Sequence, residues 1–232
     1  QVGNSTVTTP MLQKTANYDS QKDLTPVGLI ATTPMVFLVN PVVPATDLRQ
    51  FIDHARAHPG KLEFSSAGRG SLAHLATESF NQAAGLKMVF VPYQGAAQAV
   101  NAVLAGDVKV ALTTPSDAIN AFVSSGRLRM LAVSSEKRSP LLPDVPAIAE
   151  TLPGFAVNAF FGLSAPAGTP PEVIAKLNDA LNKAVAEPAM QAKLKALGMF
   201  PRPGDAARFG EMMTRDHALW TGVIAKAGIE AE

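Results

Sequence analysis

The chain has 232 residues, of which 47% are hydrophobic and only 17% charged, so it can bury a large core in one or two domains and is not a disordered chain. Its net charge is +1 and its basic residues are scattered, which argues against nucleic-acid and anionic-membrane partners. The absence of Cys excludes disulfides, thiolate nucleophiles and cysteine-based metal sites.

The first predicted elements are a buried strand at Met35–Val39 and a helix at Asp47–Ala57 that ends before Pro59. That strand is far shorter than a membrane span, and the polar start Gln1–Pro10 does not resemble a signal peptide. From Lys61 onwards, short apolar runs alternate with helical patterns, which predicts an α/β fold with a Rossmann-like parallel sheet. The predicted strands are Leu62–Ser65, Met88–Val91, Val108–Leu112 and Leu128–Val133, and the predicted helices are Ser71–Ala84, Ala96–Leu104 and Asp117–Val123.

The last third of the chain is predicted to be mainly helical, after one more strand at Ala159–Ser164. Thr169–Glu172 has the pattern of a capping box, and an apolar face follows it. We place the domain boundaries near Asn40 and Asn158, so that 1–39 with 158–232 form a first domain and 40–157 a second; two strands crossing between them would make a hinge. The apolar face consists of Val173, Leu177, Leu181 and Val185, and the remaining predicted helices are Pro188–Leu197 and Ala206–Ala227.

The segment Ser65–Ser71 contains two glycines and joins a strand to a helix. Such a turn directs backbone N–H groups and the positive end of the helix towards one point, which favours an anion site. The alternative is a tight turn in which Ser71 only caps the helix. His74, in the first helical turn, either faces the pocket or packs beneath it.

No catalytic pattern stands out. The glycine spacing from Gly68 to Ala73 fits a dinucleotide motif, but the next strand ends in Val91–Gly95 without the acidic residue that would bind the ribose. His54 and His58 have the spacing of zinc hydrolases but lack the intervening Glu, so we interpret them as a solvated helix end. The sequence therefore predicts no enzyme activity, no cofactor and no metal.

Hydroxyl groups follow the predicted strands at the edge where open α/β sheets bind ligands. Tyr93 ends one strand, and Thr113, Thr114 and Ser116 follow the next. With Ser66 and Ser71 they form a rim without a full negative charge, which suits a small carboxylate. Taken singly, each threonine is more simply a turn or cap residue.

Four segments in order carry a family resemblance: Gly60–His74, Val91–Gly95, Leu142–Pro146 and Phe161–Pro170. They resemble the extracytoplasmic solute-binding proteins of tripartite tricarboxylate transporters, of the Bug or TctC type. The resemblance runs through nearly the whole chain. It implies a two-domain, Venus-flytrap periplasmic binding protein without catalysis, which captures a small carboxylate such as a di- or tricarboxylate and passes it to membrane subunits.

The resemblance also implies roles for individual residues. The turn with Gly68, Gly70 and Ser71 matches the part of the second domain that holds the ligand carboxylate, with Ser66 and Tyr93 beside it. We also count Ala67 and His74 among the candidate ligand-binding residues. Ser5 and Thr6 resemble a hydroxyl pair contributed by the first domain. Thr113 stands where many members carry Asp, which argues against an amino-acid ligand.

The start of the chain departs from the family pattern. Members open with a strand, a glycine-rich loop and a helix, and we expect this chain to lack that segment, either as a shortened product or as a short member. An incomplete first domain would expose apolar edges that favour a dimer.

Two other function classes remain open at this level. A ligand-sensing effector domain of a transcription regulator has the same architecture and would need a DNA-binding helix-turn-helix. A dinucleotide-dependent enzyme using the Gly68 turn is the third alternative.

Overall fold

The computed structural model describes residues 1–231, and the chain forms two compact α/β units. The first unit comprises Gln1–Thr33 and Ala159–Glu232, and the second comprises Pro34–Asn158. The α/β class expected from the sequence is confirmed. One domain boundary differs from the predicted one. The strand at Val36–Val39 was predicted to lie in the first domain, but it pairs on both sides with strands of the second unit.

The first unit contains a four-stranded sheet in the order β1 (Val2–Gly3), β8 (Asn158–Pro166), β2 (Leu24–Pro34) and β9 (Phe200–Pro201). Strand β1 pairs antiparallel with β8, and β9 pairs antiparallel with β2. The first helix of this unit, α1 (Asn4–Leu12), was not predicted. It contains Pro10 and begins after Gly3. The elements of this unit are β1 (Val2–Gly3), α1 (Asn4–Leu12), β2 (Leu24–Pro34), β8 (Asn158–Pro166), α6 (Pro171–Ala186), α7 (Pro188–Ala196), β9 (Phe200–Pro201) and α8 (Ala206–Ala227), with the last residue of β2 and the first of β8 assigned to the second unit.

The second unit contains a five-stranded sheet in the order β5 (Val89–Pro92), β4 (Glu63–Ser66), β6 (Val110–Thr113), β3 (Val36–Val39) and β7 (Arg129–Val133). Strand β4 runs parallel to β5 and β6, as predicted, but β3 runs antiparallel to both β6 and β7, so the sheet is mixed and not parallel throughout. Its elements are β3 (Val36–Val39), α2 (Leu48–Ala57), β4 (Glu63–Ser66), α3 (Leu72–Ala84), β5 (Val89–Pro92), α4 (Ala96–Ala105), β6 (Val110–Thr113), α5 (Asp117–Ser124), β7 (Arg129–Val133) and a 3-10 helix (Ile148–Glu150).

The core of the second unit is built around aromatic side chains. Phe37 on β3 contacts Phe51 of α2 edge-on, with ring centres 5.0 Å apart, and Phe80 of α3 at 4.8 Å. All three are fully buried. Rings in such tilted contacts stabilise a core beyond the area they bury, so α2 and α3 are fixed on β3, which lies between β6 and β7.

Helix α6 begins differently from the prediction. The Thr169 hydroxyl donates to the carbonyl oxygen of Pro166 at 2.7 Å, and no side chain caps the helix, so the expected capping box is wrong. Pro171 is the first helical residue. The expected apolar face is also only partly buried: Val185 is buried, whereas Val173 and Leu177 are each 39% exposed. The stripe is therefore exposed at the N-terminal end of α6 and becomes buried only towards its C-terminal end, where Leu181 is half-buried.

Helix α8 packs through Phe209, Met213 and Trp220, which are all buried. It lies so close to β8 that a Cβ at Gly162 would come within 2.8 Å of Phe209 Cε1. Among the described residues, no helix combines the length and the apolar character that crossing a bilayer would require.

Candidate functional site

Three neighbouring strands of the second unit end at the same edge of its sheet. Strand β4 lies between β5 and β6 and runs parallel to both, so the loops that follow these strands are side by side. The N–H of Tyr93 donates to the carbonyl oxygen of Ser66 at 3.0 Å and joins the ends of β4 and β5. This is the edge where the sequence predicted a ligand.

The turn from Ala67 to Ser71 depends on its glycines. Gly68 has φ 116° and Gly70 has φ 75°, which are conformations that residues with a Cβ rarely adopt. A Cβ at Gly68 would lie 4.0 Å from the Tyr93 carbonyl oxygen. The turn therefore keeps its backbone accessible beside the loop that follows β5.

Both hydroxyl groups of this turn make internal hydrogen bonds. Ser71 Oγ donates to Ser66 Oγ at 3.1 Å, and Ser66 Oγ donates to the carbonyl oxygen of Gly68 at 3.0 Å. Ser71 Oγ also accepts from the N–H of His74 at 3.3 Å and caps α3. The capping role that the sequence left as an alternative is present, and in this state neither hydroxyl has a spare hydrogen for a ligand.

His74 packs beneath the turn and does not face out of it. It is 2% exposed and its ring stacks on Phe90, with ring centres 3.9 Å apart. Its Nδ1 accepts the N–H of Gly70 at 3.0 Å, so this imidazole holds the turn in place. Burial, with a smaller contribution from the charge of Arg69, lowers the pKa of His74 from 6.5 to about 4, which keeps Nδ1 unprotonated at neutral pH.

Helix N-termini supply the donors that remain. The first N–H groups of a helix have no acceptor within the helix. In α3 the Ser71 hydroxyl oxygen accepts the N–H of His74, so the N–H groups of Leu72 and Ala73 remain for a ligand. Helix α4 begins after Gly95, which has no side chain to cap it, and exposes Ala96 and Ala97. The first turns of α3 and α4 contain no acidic residue, and both are favourable places for an anion.

The third helix at this edge is different. Helix α5 carries Asp117 in its first turn, so its positive end already faces a carboxylate. Ser116 caps it by accepting the N–H of Ile119 at 3.3 Å. Thr113 belongs to β6 and is only 8% exposed, whereas Thr114 is exposed. The part of the edge that favours an anion is therefore the turn before α3 together with the start of α4. Tyr93 lies in the loop between β5 and α4.

Ser5 and Thr6 belong to the first unit, at the start of α1. Ser5 is exposed. The Thr6 hydroxyl accepts the N–H of Gly3 at 3.2 Å, and its carbonyl oxygen accepts the hydroxyl of Tyr18 at 3.1 Å. Their contribution to ligand binding stays a prediction.

Ser134 is a residue that the sequence analysis did not single out. It is fully buried, its Oγ accepts the N–H of Met35 at 2.8 Å, and its hydroxyl donates to the carbonyl oxygen of Val157. It thus fixes, within the second unit, both chain segments that lead to the unit boundary. A lone serine after a strand gives no sequence signal for this role.

Within residues 1–231, no group of three or more His, Cys, Asp or Glu side chains is placed so that it could hold a metal ion. The site at the sheet edge consists of backbone donors, glycines, hydroxyl groups and one neutral imidazole. Such a set can hold a carboxylate by hydrogen bonds to its charged oxygens.

Comparisons with known proteins find relatives that align with most of this chain. A protein from Pseudomonas sp. (strain P51), described as a UPF0065 protein in the tcbD-tcbE intergenic region, is 36% identical over 216 residues, which cover 92% of this chain and 64% of that protein. The chain thus spans slightly less than two thirds of the length of that relative.

Solved structures match closely as well. R. palustris Rpa4515 with adipate gives a TM-score of 0.84 at 30% identity, covering 100% of this chain and 78% of that one. The periplasmic binding protein BugD gives 0.81 at 28% identity, covering 99% and 78%. MatC from Rhodopseudomonas palustris with bound malate gives 0.76 at 29% identity, covering 96% and 75%.

The family model for the tripartite tricarboxylate transporter family receptor, TctC, matches residues 1–229. This match extends through both units and includes the glycine turn, the loop after β5 and the helical C-terminal third. The chain belongs to the TctC family of periplasmic solute-binding receptors.

Proposed function

We propose that this chain is part of a periplasmic receptor that captures a small carboxylate and delivers it to the membrane subunits of a tripartite tricarboxylate-type transporter. One observation carries the proposal: the N-termini of α3 and α4 begin at adjacent strand ends, and neither has an acidic residue in its first turn. A carboxylate there interacts favourably with two helix ends.

The binding energy is assigned mainly to backbone donors. A hydrogen bond to a charged group contributes about 1.5 to 3 kcal/mol, and each helix terminus adds about 0.3 to 1 kcal/mol. Because the hydroxyl groups of Ser66 and Ser71 and the N–H of Gly70 have partners within the protein, the N–H groups of Leu72, Ala73, Ala96 and Ala97 are the donors we assign.

The ligand class follows from two solved relatives. One holds adipate and the other malate, and both molecules are dicarboxylates. Donors of the kind found here recognise the carboxylate end, while the accepted chain length depends on the shape of the pocket. The proposal therefore specifies a small carboxylic acid and assigns no chemical reaction.

The test is titration calorimetry of adipate and malate, with adipamide as the probe that keeps the length of adipate but carries no charge. We expect heat of binding from at least one diacid and none from adipamide. Bound diacid should also raise the melting temperature, because ligand that binds only the folded chain stabilises it. Equal binding of adipate and adipamide would contradict recognition through charge.

Two glycine variants locate the site. Gly95→Val places a branched side chain at the start of α4, where a Cβ meets no atom within 4 Å, so it should reduce affinity at least about tenfold by covering the donors. Gly85→Val is the matched control: it lies at the C-terminal end of α3, also has a positive φ and also faces open space. Its backbone strain should be smaller than that of Gly95→Val, because Gly85 is in the αL region (φ 65°, ψ 40°) and Gly95 is not (φ 109°, ψ 160°), so circular dichroism should first show that both variants are folded. Gly85→Val should leave affinity unchanged.

Side-chain variants separate this mechanism from an arginine clamp. Ser71→Ala removes a cap and should mainly lower stability, by about 0.5 to 2 kcal/mol, with a smaller effect on affinity. Arg69 is exposed, and Arg69→Ala should leave binding within a few-fold of the parent. If Arg69→Ala abolished binding while Gly95→Val did not affect it, the assignment to helix N-termini would be wrong.

A further inference from the structure

A pair of histidines lies outside the sheet edge, at the end of helix α2. His54 is in the last turn of this helix and His58 is its C-cap residue. Residues four apart lie on the same helix face. Their ring centres are 4.4 Å apart, with a tilt of 37° between the ring planes, and His58 is exposed to solvent.

The hydrogen bonding of His58 fixes which of its nitrogens can bind a metal. Its Nδ1 lies 2.8 Å from the carbonyl oxygen of His54. A carbonyl oxygen only accepts, so Nδ1 carries the hydrogen in this bond and Nε2 of the neutral ring has a free lone pair. A hydrogen bond from one ring nitrogen to a backbone carbonyl also orients the imidazole, as in natural metal sites.

We propose that His54 and His58 form a two-histidine chelate for a divalent transition-metal ion, Cu²⁺ or Ni²⁺. With a metal–nitrogen distance of about 2.0 to 2.1 Å, two imidazoles at 90° around one ion have ring centres about 4.5 Å apart, whereas a tetrahedral angle requires about 5.2 Å. The observed 4.4 Å matches the right-angle arrangement of square-planar or octahedral ions. The separation of the rings therefore fits two imidazoles on one such ion, with rotation about the side-chain bonds directing the ligand nitrogens to it.

The helix end beside this pair favours a cation. The end of a helix carries partial negative charge, so a dication is stabilised there. Arg56 lies between the two histidines in sequence, but its guanidinium donates to the carbonyl oxygen of Ala84 at 2.8 and 3.1 Å, at the end of α3. In the described part of the chain no carboxylate joins the pair to make a third ligand. Water would complete the coordination, and ions that prefer oxygen ligands, such as Mg²⁺ and Ca²⁺, should bind poorly.

The test uses Ni²⁺ alone, added to the 232-residue chain and followed by NMR of the imidazole C–H signals. The chain has only four histidines, so each signal can be assigned. We expect paramagnetic broadening of His54 and His58 at a lower Ni²⁺ concentration than broadening of His74 and His217. Titration calorimetry should show that His58→Gln weakens binding at least about tenfold, because the second ligand of a chelate binds at high effective concentration.

A matched variant keeps the number of histidines but changes the spacing between them. Arg49 is exposed on the same helix, and in the double variant Arg49→His with His58→Gln the two histidines are five residues apart, on different sides of the helix. It should bind Ni²⁺ as weakly as His58→Gln alone. The proposal is overturned if this double variant or His58→Gln binds as tightly as the parent chain, or if all four histidines broaden together. Electron paramagnetic resonance with Cu²⁺ should independently show two nitrogen ligands in the parent chain and one in His58→Gln.

Discussion

At the scale of single residues, His74 shows how a side chain beneath a site can shape it without touching a ligand. Its ring is buried against Phe90, and its Nδ1 accepts the N–H of Gly70. This bond uses one of the backbone donors that the glycine turn would otherwise present. His74 is therefore a positioning residue for the turn.

The first prediction concerns His74→Phe, which keeps an aromatic ring over Phe90 but leaves the N–H of Gly70 without its acceptor. A partly buried donor that loses its partner costs about 1 to 3 kcal/mol, so urea unfolding at pH 7.5 should show a loss in this range. His217→Phe, at a half-buried position on α8, is the control for loss of an imidazole and should change stability by less than about 1 kcal/mol. Equal losses in the two variants would argue against the role given to the Gly70 bond.

At the scale of elements, the close approach of β8 and α8 depends on a glycine. A Cβ at Gly162 would lie 2.8 and 2.9 Å from atoms of the Phe209 ring, which is closer than carbon atoms pack. Phe209 is itself buried and lies 5.8 Å from Phe160, measured between ring centres. The ring cannot move without disturbing the contact between helix and sheet.

The second prediction is that Gly162→Ala lowers the free energy of unfolding by about 1 to 3 kcal/mol through overpacking. Gly222→Ala is the control, because this glycine lies within α8 and a Cβ there meets no atom within 4 Å. It should raise stability by about 0.5 to 1 kcal/mol, since alanine is the better helix former. Adding Phe209→Leu should recover part of the loss in Gly162→Ala. A purely additive double variant would contradict a clash between these two side chains.

At the scale of the whole molecule, two groups whose pKa values are shifted by burial respond to pH in opposite directions, Asp216 in the first unit and His74 in the second. In the first unit, burial raises the pKa of Asp216 from 3.8 to about 6, although the hydrogen bond from Asn4 Nδ2 at 2.9 Å opposes this. Asn4 Oδ1 also accepts the N–H of Phe160 at 2.9 Å, so α1, β8 and α8 meet at this residue. In the second unit, the pKa of His74 is lowered to about 4.

The third prediction follows from these pKa values. Between pH 3.8 and about 6 the folded chain holds a proton on Asp216 that the unfolded chain has lost, so this group's stabilisation is full below that window and disappears as pH rises through it. Between pH 6.5 and about 4 the unfolded chain binds a proton at His74 that the folded chain does not, so its contribution is lost as pH falls. Each effect amounts to about 2 to 3 kcal/mol, and they largely cancel in the parent chain.

Single variants should reveal the two slopes. In Asp216→Asn the free energy of unfolding should rise from pH 4 to 6.5, because the His74 effect is no longer offset by that of Asp216. In His74→Phe the free energy of unfolding should rise less over this range or fall, because the Asp216 effect is no longer offset by that of His74. Urea titrations across this range measure both. Parallel pH profiles for the two variants would show that at least one of these pKa assignments is wrong.

The sequence by itself determined the strand-to-helix alternation of the middle segment and the long helix α8, because apolar periodicity, glycine stops and caps are local signals. It also indicated the glycine turn before α3, since only glycine adopts the backbone angles of such a turn readily. The family resemblance rested on four segments, which include this turn and the loop after β5, and the family match confirmed it.

The tertiary structure alone decided which partners these local elements have. The direction of β3, its place between β6 and β7 and its membership of the second unit depend on hydrogen bonds to strands more than 70 residues away. The use of the Gly70 N–H by His74, the hydroxyl chain from Ser71 to Gly68 and the carboxylate of Asp117 at α5 decided which donors remain for an anion. Side-chain identity shows that a donor exists, but only packing shows whether another group of the protein has already taken it.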